Sequence, residues 1–260
     1  KAVSQCFDKV PEQYSECSSC GAFFENMSIH WRKNHTNCSF PDISNIQKDI
    51  LLGALMGDAS VSPTSYGGYR YTLGLVRPEF LKWFDEKFPL LSNSPFLANT
   101  PEEGYESAKK DFGAYYNLSL ENWNNFYKIS LKSHPYFDRL RKEWYNNSSK
   151  RFPRIKLKPL IMKMWFVTDG GLEWNSNNQS FNGLFFTSEN ESDRKDFICS
   201  LFEEVNFDVQ RYNGHKISFS NEESRRILDY MGSPPPGFEY KWEIDDYERY
   251  QEMKNSYDTL

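Results

Sequence analysis

Long apolar segments are absent from this 260-residue chain: no run of about 18 apolar residues occurs, which is the length that spans a membrane as a helix. The opening residues KAVSQCFDKV also lack the apolar stretch of a signal peptide. We therefore expect an intracellular protein, from a prokaryotic cytoplasm or a eukaryotic organelle or nucleus, with no membrane partner.

Cysteine is scarce and unevenly placed. The chain has five cysteines, an odd number, and four of them lie in the first 38 residues. This clustering favours a local metal site over a disulfide framework, and it predicts a reducing compartment. An all-sulfur site that includes Cys6 is one alternative for the metal ligands.

A positive net charge is absent as well. The net charge of −5 argues weakly against a nucleic-acid partner. The charge is uneven, however, because residues 128–163 carry eleven Lys or Arg side chains against only Asp138 and Glu143. Such a run is commonly a solvated face, but this imbalance favours a surface that faces phosphate groups. The eleven are Lys128, Lys132, Arg139, Arg141, Lys142, Lys150, Arg151, Arg154, Lys156, Lys158 and Lys163.

Aromatic side chains, in contrast, are abundant. The chain has 21 Phe, 16 Tyr and 7 Trp, and aromatic residues make up 17% of the sequence. A sizeable hydrophobic core is therefore expected, and the chain is not of the disordered class. The length allows one large domain or two small ones.

The cysteine-rich N-terminal region contains the segment CSSCGAFFENMSIHWRKNH. Cys17 and Cys20 lie two residues apart, His30 follows after nine residues, and His35 follows after four more. Two thiolates and two imidazoles can surround Zn²⁺ tetrahedrally, as in a short variant of a zinc finger. Cys38 can replace His35 as the fourth ligand, and the sequence leaves this choice open. The alternative is a set of core cysteines without metal.

Two apolar segments each end on an aspartate. LLGALMGDAS delivers Asp58 after Gly53 and Gly57, and IMKMWFVTDGG delivers Asp169. Glycines on one helix face let another helix approach closely, so we expect the two helices to pack together and to bring both carboxylates together. An acidic residue is unfavourable at a helix C-terminus, where cations are preferred. A divalent cation between the carboxylates resolves this conflict.

Residues 49–140 and 159–230 form an internal repeat. Each part has an apolar helix, a hairpin, an amphipathic helix and a further strand that runs into a helix. The clearest match sets YKISLKSHPYFDRL against HKISFSNEESRRIL. The repeat predicts one chain folded as two related α/β halves.

These residues resemble a known family. LLGALMGDA and MKMWFVTDG look like the two motifs of a single-chain LAGLIDADG homing endonuclease. LKSHPYFDRLRKEWY and PPPGFEYKW also look like segments of this family, so the resemblance covers roughly residues 46–245. In the second motif Met164 stands where glycine is usual and Thr168 where alanine is usual. This departure predicts looser helix packing.

The resemblance implies an α/β (α+β) fold with two pseudo-symmetric αββαββα halves, whose sheets form a saddle over the DNA major groove. We expect a zinc-finger-like module in residues 1–45, the first half in residues 46–150, and the second half with a C-terminal tail in residues 151–260. The family also implies a monomer, associated with a mobile intron, that cuts double-stranded DNA at a long site and leaves short 3′ overhangs.

The resemblance further implies which residues would form the active site. The motif aspartates Asp58 and Asp169 would hold Mg²⁺ or Mn²⁺, with help from the backbone carbonyls of Ala59 and Gly170. The ions would activate a water molecule and stabilise the leaving 3′ oxygen. The family often has a basic residue near the end of a later strand, and Lys132 is the candidate here. A plain phosphate contact is the alternative role for Lys132.

Strand side chains that face the major groove would provide sequence specificity. Only every second residue of a strand faces the DNA, so Tyr69 and Tyr71 compete for this role with their neighbours in the same strand. The predicted DNA contacts are Arg70, Thr72, Lys128, Arg151, Arg154, Lys156, Lys158, Asn178, Gln179, Arg211 and Lys216.

Two other functions are compatible with the sequence. An RNA maturase that assists intron splicing shares this scaffold, which makes an intron RNA a second possible partner. A catalytically inactive DNA-binding regulator with a zinc finger is the other alternative, and metal-dependent cutting distinguishes it from a nuclease. An intein is not indicated, because the sequence has no splicing blocks.

Overall fold

The structure is a computed structural model that describes residues 14–17, 19–33, 38–112 and 119–256. Two residues considered above as zinc ligands, Cys6 and His35, lie outside the described residues. Within the described ranges, every helix is too short or too polar to cross a membrane.

The N-terminal module is a small β–β–α unit. β1 (Ser15–Glu16) pairs antiparallel with β2 (Phe23–Phe24), and α1 (Met27–Lys33) follows. The Asn26 side chain accepts a hydrogen bond of 3.1 Å from the Ile29 amide, which satisfies a free donor in the first turn of α1. A unit of this size buries little apolar surface of its own, so its stability depends on other contacts.

The first half alternates helices with antiparallel strands. Its elements are α2 (Asn45–Met56), β3 (Ser60–Pro63), β4 (Tyr69–Leu75), α3 (Pro78–Lys87), β5 (Phe96–Asn99), α4 (Pro101–Phe112), β6 (Phe126–Ser130) and α5 (Pro135–Trp144). α2 begins at a capping box, in which Ser44 Oγ accepts from the Gln47 amide at 3.2 Å and Gln47 Oε1 accepts from the Ser44 amide at 2.8 Å. A hairpin of β7 (Tyr145–Asn146) and β8 (Ser149–Lys150) then leads towards the second half.

The second half repeats this arrangement. Its elements are α6 (Pro159–Asp169), β9 (Gly170–Trp174), β10 (Phe181–Thr187), α7 (Lys195–Glu203), β11 (Arg211–Asn213), β12 (Lys216–Ser218) and α8 (Asn221–Met231). Pro159 is the first residue of α6, where a missing amide costs no helical hydrogen bond. A 3₁₀ turn (Glu239–Trp242) and α9 (Tyr247–Ser256) follow.

Both halves have the same sheet topology. The strand orders are β3-β4-β6-β5 and β9-β10-β12-β11, so each sheet has its first, second, fourth and third strands side by side. The register also repeats, because Thr72 faces Ser130 as Phe185 faces Ser218. The internal repeat predicted from the sequence is therefore confirmed. α4 is an addition that lies between the third and fourth strands of the first half.

Alternation along β4 separates a buried face from an open one. Tyr71 and Leu73 are fully buried, whereas Arg70 and Thr72 lie on the opposite face. Tyr71 Oη donates a hydrogen bond of 2.8 Å to the Leu51 carbonyl oxygen, which joins the sheet to α2. Tyr71 is therefore a core residue and is not available for DNA contact.

One contiguous hydrophobic core includes residues of the N-terminal module and of both halves. Arg32 of α1 donates to Ser133 Oγ at 2.7 Å and pairs with Asp138 at 3.3 Å. The Phe40 ring lies 5.2 Å from the His134 ring, centre to centre. These contacts hold the module on the first half, and the three-part domain division stays a prediction.

Candidate active site and nucleic-acid interface

The contact between α2 and α6 is the most extensive contact between two helices in the described residues. A Cβ atom on Gly53 would lie 2.2 Å from the Ile161 carbonyl oxygen and 2.6 Å from Met164 Cβ. A Cβ atom on Gly57 would lie 2.1 Å from Thr168 Oγ1. Both positions on α2 therefore require glycine, because α6 already occupies the space of a side chain.

The unusual side chains of the second motif fill the space that these glycines leave. Met164 is fully buried against α2. Thr168 Oγ1 donates to the Met164 carbonyl oxygen at 2.8 Å, so its hydroxyl is satisfied within α6. The prediction of looser packing is wrong, because larger residues on one helix pack against glycines on the other.

Each of these two helices delivers an aspartate at its C-terminal end. Asp58 follows Gly57, the C-cap of α2, and Asp169 is the last residue of α6. A Cβ atom on Gly57 would lie 2.9 Å from Asp169 Cβ, so the two acidic segments adjoin. Burial and the nearby Asp169 carboxylate together raise the pKa of Asp58 to about 6. The structure thus brings the two motif carboxylates together.

Lys241 is a buried cation at the C-terminal end of α6. Its Nζ donates to three backbone carbonyl oxygens, those of Phe166 (3.1 Å), Val167 (2.9 Å) and Gly170 (2.6 Å). Burial lowers the pKa of Lys241 to about 7, and the two motif aspartates oppose this shift. Lys241 therefore satisfies carbonyl groups that a helix end leaves without donors.

Lys150 has the equivalent position at the end of α2. Its Nζ donates to the carbonyl oxygens of Gly57 and, at 3.1 Å, of Ala59. Burial lowers the pKa of Lys150 as well, again opposed by the motif aspartates. Lys150 follows α5 and Lys241 follows α8, the equivalent helix of the second half, so the pair obeys the internal repeat. Together they supply the positive charge that two acid-ended helices require.

Lys132, the predicted active-site lysine, lies elsewhere. Its Nζ donates to the Leu90 carbonyl oxygen at 3.3 Å. Burial lowers the pKa of Lys132, and the charge that opposes this shift is Asp85 instead of the motif aspartates. Ser130, the last residue of β6, pairs with Thr72, which in turn pairs with Ser60 near Asp58. The chain beyond Ser130 runs on towards the β3–β4 turn, so Lys132 lies away from Asp58. Lys150 and Lys241 occupy the place predicted for Lys132.

A groove of about 790 Å³ opens beside Asp58. Its walls combine the ends of the motif helices, the buried Lys241 and the open face of the first-half sheet. The strand residues that line it are Ser60, Ser62, Arg70, Thr72, Gly74, Leu75, Phe96, Ala98, Phe126, Lys128 and Ser130. The predicted DNA contacts Arg70, Thr72 and Lys128 therefore share one surface with the aspartate.

In the second-half sheet, Arg211 and Lys216 lie on the corresponding face, because Lys216 alternates with the fully buried Ile217. Both side chains pair with the Glu173 carboxylate, Lys216 at 2.6 Å and Arg211 at 3.9 Å. Lys216 Nζ also lies 3.9 Å from the centre of the Phe185 ring. The two predicted cations thus flank an acid that sequence reasoning did not identify.

Asn178 and Gln179, predicted as strand contacts, lie in the turn between β9 and β10. Gln179 has a φ of 55°, in the left-handed region. Asn178 Oδ1 accepts from the Ser180 amide at 3.2 Å, which closes the turn. The strand interpretation is wrong here, because the segment NSNNQS is rich in residues that form turns.

The basic side chains of residues 128–163 contact several different parts of the chain. Three of its predicted DNA contacts form ion pairs: Arg151 with Asp193 at 2.7 Å, Arg154 with Glu204, and Lys158 with Asp49 at 2.9 Å. Lys156 is exposed. Exposed ion pairs contribute only about 0–1 kcal/mol, so phosphate groups can replace the carboxylates at small cost.

The N-terminal module gathers four metal-ligating side chains. The ligand atoms of Cys17, Cys20, His30 and Cys38 all lie within 4.8 Å of one another. Burial raises the pKa of the Cys17 thiol, but hydrogen bonds from the backbone at Ser19 and Cys20 and from His30 outweigh it and lower the pKa to about 6. Among the described residues, Cys38 is the fourth member of the cluster.

Comparison with known proteins identifies the family. Residues 48–227 match the LAGLIDADG DNA endonuclease family. The chain belongs to this family. No curated protein is significantly similar to it in sequence.

One solved homing endonuclease structure shows the same fold at low sequence identity. The homing endonuclease I-WcaI, bound to its DNA recognition sequence, is 16% identical to this chain, with a TM-score of 0.59 over 80% of this chain and 90% of that one. I-DmoI in complex with DNA and Mn is 10% identical, with a TM-score of 0.40 over 73% and 97% of the two chains.

The LAGLIDADG match includes both motif aspartates and Lys150, but it begins after the Cys/His cluster and ends before Lys241. Sequence reasoning missed Lys150 and Lys241 as site residues. A partial signal was present, since Lys150 belongs to the basic run and PPPGFEYKW contains Lys241. Lys150 and Lys241 reach the helix ends only because the chain folds back towards α2 after α5 and towards α6 after α8. No local sequence pattern encodes this path.

Proposed function

We propose that this chain is a site-specific homing endonuclease that hydrolyses double-stranded DNA at a long target, depends on a divalent metal, and leaves short 3′ overhangs. The observation that carries the proposal is the juxtaposition of Asp58 and Asp169 by two glycine-packed helices, beside a groove lined by polar strand residues. Because both halves belong to one chain, the active species is a monomer.

The aspartate pair fits a divalent cation. Burial is the main cause of the raised pKa of Asp58, and repulsion by the Asp169 carboxylate adds to it. A cation held between the two carboxylates offsets both the burial of charge and the repulsion. Asp58 and Asp169 would hold Mg²⁺ or Mn²⁺ together with phosphate oxygens of the DNA. The bound metal supplies an activated water and stabilises negative charge on the leaving 3′ oxygen.

Lys150 and Lys241 orient the aspartate segments. Lys150 donates to the Ala59 carbonyl and Lys241 to the Gly170 carbonyl, which were the predicted backbone ligands of the metal. A carbonyl oxygen has two lone pairs, so a lysine contact leaves one free for a cation. Each lysine also places positive charge beside the phosphate that undergoes hydrolysis.

The open faces of the sheets bind the DNA. Arg70, Thr72 and Lys128 offer donors to base edges and phosphates along the first-half sheet. Arg211 and Lys216 offer the same along the second-half sheet. Their ion pairs with a carboxylate keep these cations ordered before DNA binds.

The Cys/His cluster of the N-terminal module binds Zn²⁺. Three thiolates and one imidazole are a common tetrahedral donor set for structural zinc. The lowered pKa of Cys17 supports this assignment, because zinc binds the thiolate and not the thiol.

The decisive experiment incubates the protein with a library of long double-stranded DNA targets, with Mg²⁺ or with EDTA, and sequences the cut ends. Recurrent Mg²⁺-dependent cuts at one site, with 3′ overhangs, are expected. Duplex binding without cutting would favour the DNA-binding regulator. Selective binding and splicing of an intron RNA, without DNA cutting, would favour the maturase.

A further inference from the structure

We infer that the cleft between the N-terminal module and the first-half sheet binds the sugar–phosphate backbone of the target duplex, outside the base pairs that the sheets contact. We call this the flank cleft. The inference rests on the proposed function, because it extends the same DNA-binding surface. Through this cleft the module lengthens the stretch of DNA that the protein contacts.

The flank cleft is a built surface of about 730 Å³ with walls from separate parts of the chain. One wall is α1 of the module, and the others are the β3–β4 turn and the loop at Ser92–Ser94. Arg32 fixes the first wall against α5 and the residues before it, through Asp138 and Ser133. Gly68 permits this approach, since a Cβ atom there would lie 1.8 Å from Arg32 Nη2.

The chemistry of the flank cleft fits a phosphate backbone. Its lining has three cations, Arg32, Arg70 and Lys132, and a single acid, Glu25. Hydroxyl and amide side chains, such as Asn93, supply much of the remaining lining. Proteins contact DNA phosphates mainly with basic, hydroxyl and amide side chains, and such contacts carry no sequence information directly.

Arg70 connects the flank cleft to the groove that contains Asp58, because it lines both. β3 leads from beside Asp58 to Pro63 at the outer end of the sheet. Five residue steps of about 3.3 Å span ~17 Å. At 3.4 Å per base pair this corresponds to ~5 base pairs. A duplex that follows the sheet therefore reaches the flank cleft ~5 base pairs from the cut.

One wall of the cleft is formed by the module, which packs on the first half. The inference therefore predicts an asymmetric footprint, in which one flank of the target contributes to affinity and the other does not. Lys132 is a phosphate contact in this arrangement.

The test uses the full-length zinc-loaded protein and its selected target, with Mg²⁺ omitted so that the duplex stays intact. The target is shortened from each end in turn, and affinity is measured at several salt concentrations. Lys132→Ala and Lys132→Arg are compared with wild type. Lys82→Ala, an exposed lysine on α3, is the matched control.

Shortening one flank to within ~5 base pairs of the cut should weaken wild-type binding about tenfold, whereas shortening the other should not. Lys132→Ala should bind the long duplex several-fold more weakly, with a salt slope smaller by about one, and should lose the benefit of the flank. Lys132→Arg and Lys82→Ala should behave as wild type.

The inference would be overturned, and the proposed function left intact, if the protein cuts its target but its affinity depends equally on both flanks. The same holds if its affinity depends on neither flank. A protein that neither binds nor cuts any duplex would overturn both. A Lys132→Ala variant that binds every duplex as wild type does would exclude this lysine and the cleft as a phosphate contact.

Discussion

Single residues at the motif helix ends carry most of the chemistry. An aspartate near a helix C-terminus is unfavourable, and this chain places one at the end of both α2 and α6. Lys150 and Lys241 offset this cost, because each ammonium group donates to the carbonyl oxygens of one helix end. The divalent cation expected from the sequence is therefore joined by two protein cations.

Removal of Lys241 should destabilise the fold. Lys241→Met keeps a side chain of similar length but removes the ammonium group that donates to three backbone carbonyl oxygens, of which only that of Phe166 keeps the Gly170 amide as a donor. We expect a loss of about 2 kcal/mol in the free energy of unfolding, measured by chemical denaturation.

Lys82→Met is the control for this prediction, since Lys82 is exposed on α3 and makes none of these contacts. It should leave the denaturation midpoint unchanged. A Lys241→Met protein as stable as the control would show that the helix end does not need this lysine.

The zinc assignment also depends on single residues. Wild-type protein should contain one zinc ion per chain, measured by elemental analysis, and Cys38→Ser should lose it because three ligands hold the ion poorly. Cys199→Ser should retain zinc, since Cys199 lies on α7 outside the cluster. Retained zinc in Cys38→Ser together with lost zinc in His35→Ala would reverse the ligand assignment.

Secondary-structure elements are held in place by the close approach of α2 and α6. Helices pack this closely only where one of them lacks side chains, and here Gly53 and Gly57 provide that face. The larger Met164 and Thr168 on α6 complete the contact. The distance between the two aspartates is therefore set by helix packing and not by a flexible loop.

Gly57→Ala should separate the helix ends. Its new Cβ atom would lie 2.1 Å from Thr168 Oγ1, so α6 must shift. We expect a loss of ~1–3 kcal/mol in stability, measured by thermal or chemical unfolding, and slower DNA cleavage.

Gly104→Ala is the matched helical control, because the nearest atom to its Cβ would be Trp123 Cε3 at 3.0 Å, on a side chain that is not fully buried. It should change stability by less than about 1 kcal/mol. Equal effects of the two substitutions would contradict the packing argument.

Local patterns predicted the elements better than the site. The helices that end at Asp58 and Asp169, and the repeated strands, follow from hydrophobic periodicity and from the repeat itself. Lys150, Lys241 and Glu173 escaped because their roles depend on tertiary contacts between distant segments.

One error came from a local signal that was available. Asn178 and Gln179 lie in a segment of turn residues, which points away from a strand.

Other choices could not be made from the sequence. Strand alternation assigned Arg70 to the open face and Tyr71 to the core only once the buried face of the sheet was known. The choice between His35 and Cys38 could not be made from spacing, since both spacings permit a tetrahedral site.

The whole molecule combines a symmetric centre with asymmetric surroundings. Two halves of identical strand order each contribute one aspartate and one lysine that donates to backbone carbonyl oxygens beside it. The module, the addition of α4 and the ion pairs around Glu173 occur in one half only among the described residues. Under the proposed function, a symmetric site would cut a target that its asymmetric surroundings contact.

The most direct test of this account follows each DNA strand separately during single-turnover cleavage of the selected target in Mg²⁺. Asp58→Asn and Asp169→Asn should each slow cleavage by about 100-fold or more, because each removes one of the two metal-binding carboxylates. Asp229→Asn, an exposed acid on α8, should cut both strands as wild type does. Cleavage at the wild-type rate by either motif variant would contradict the claim that the two halves share one active site.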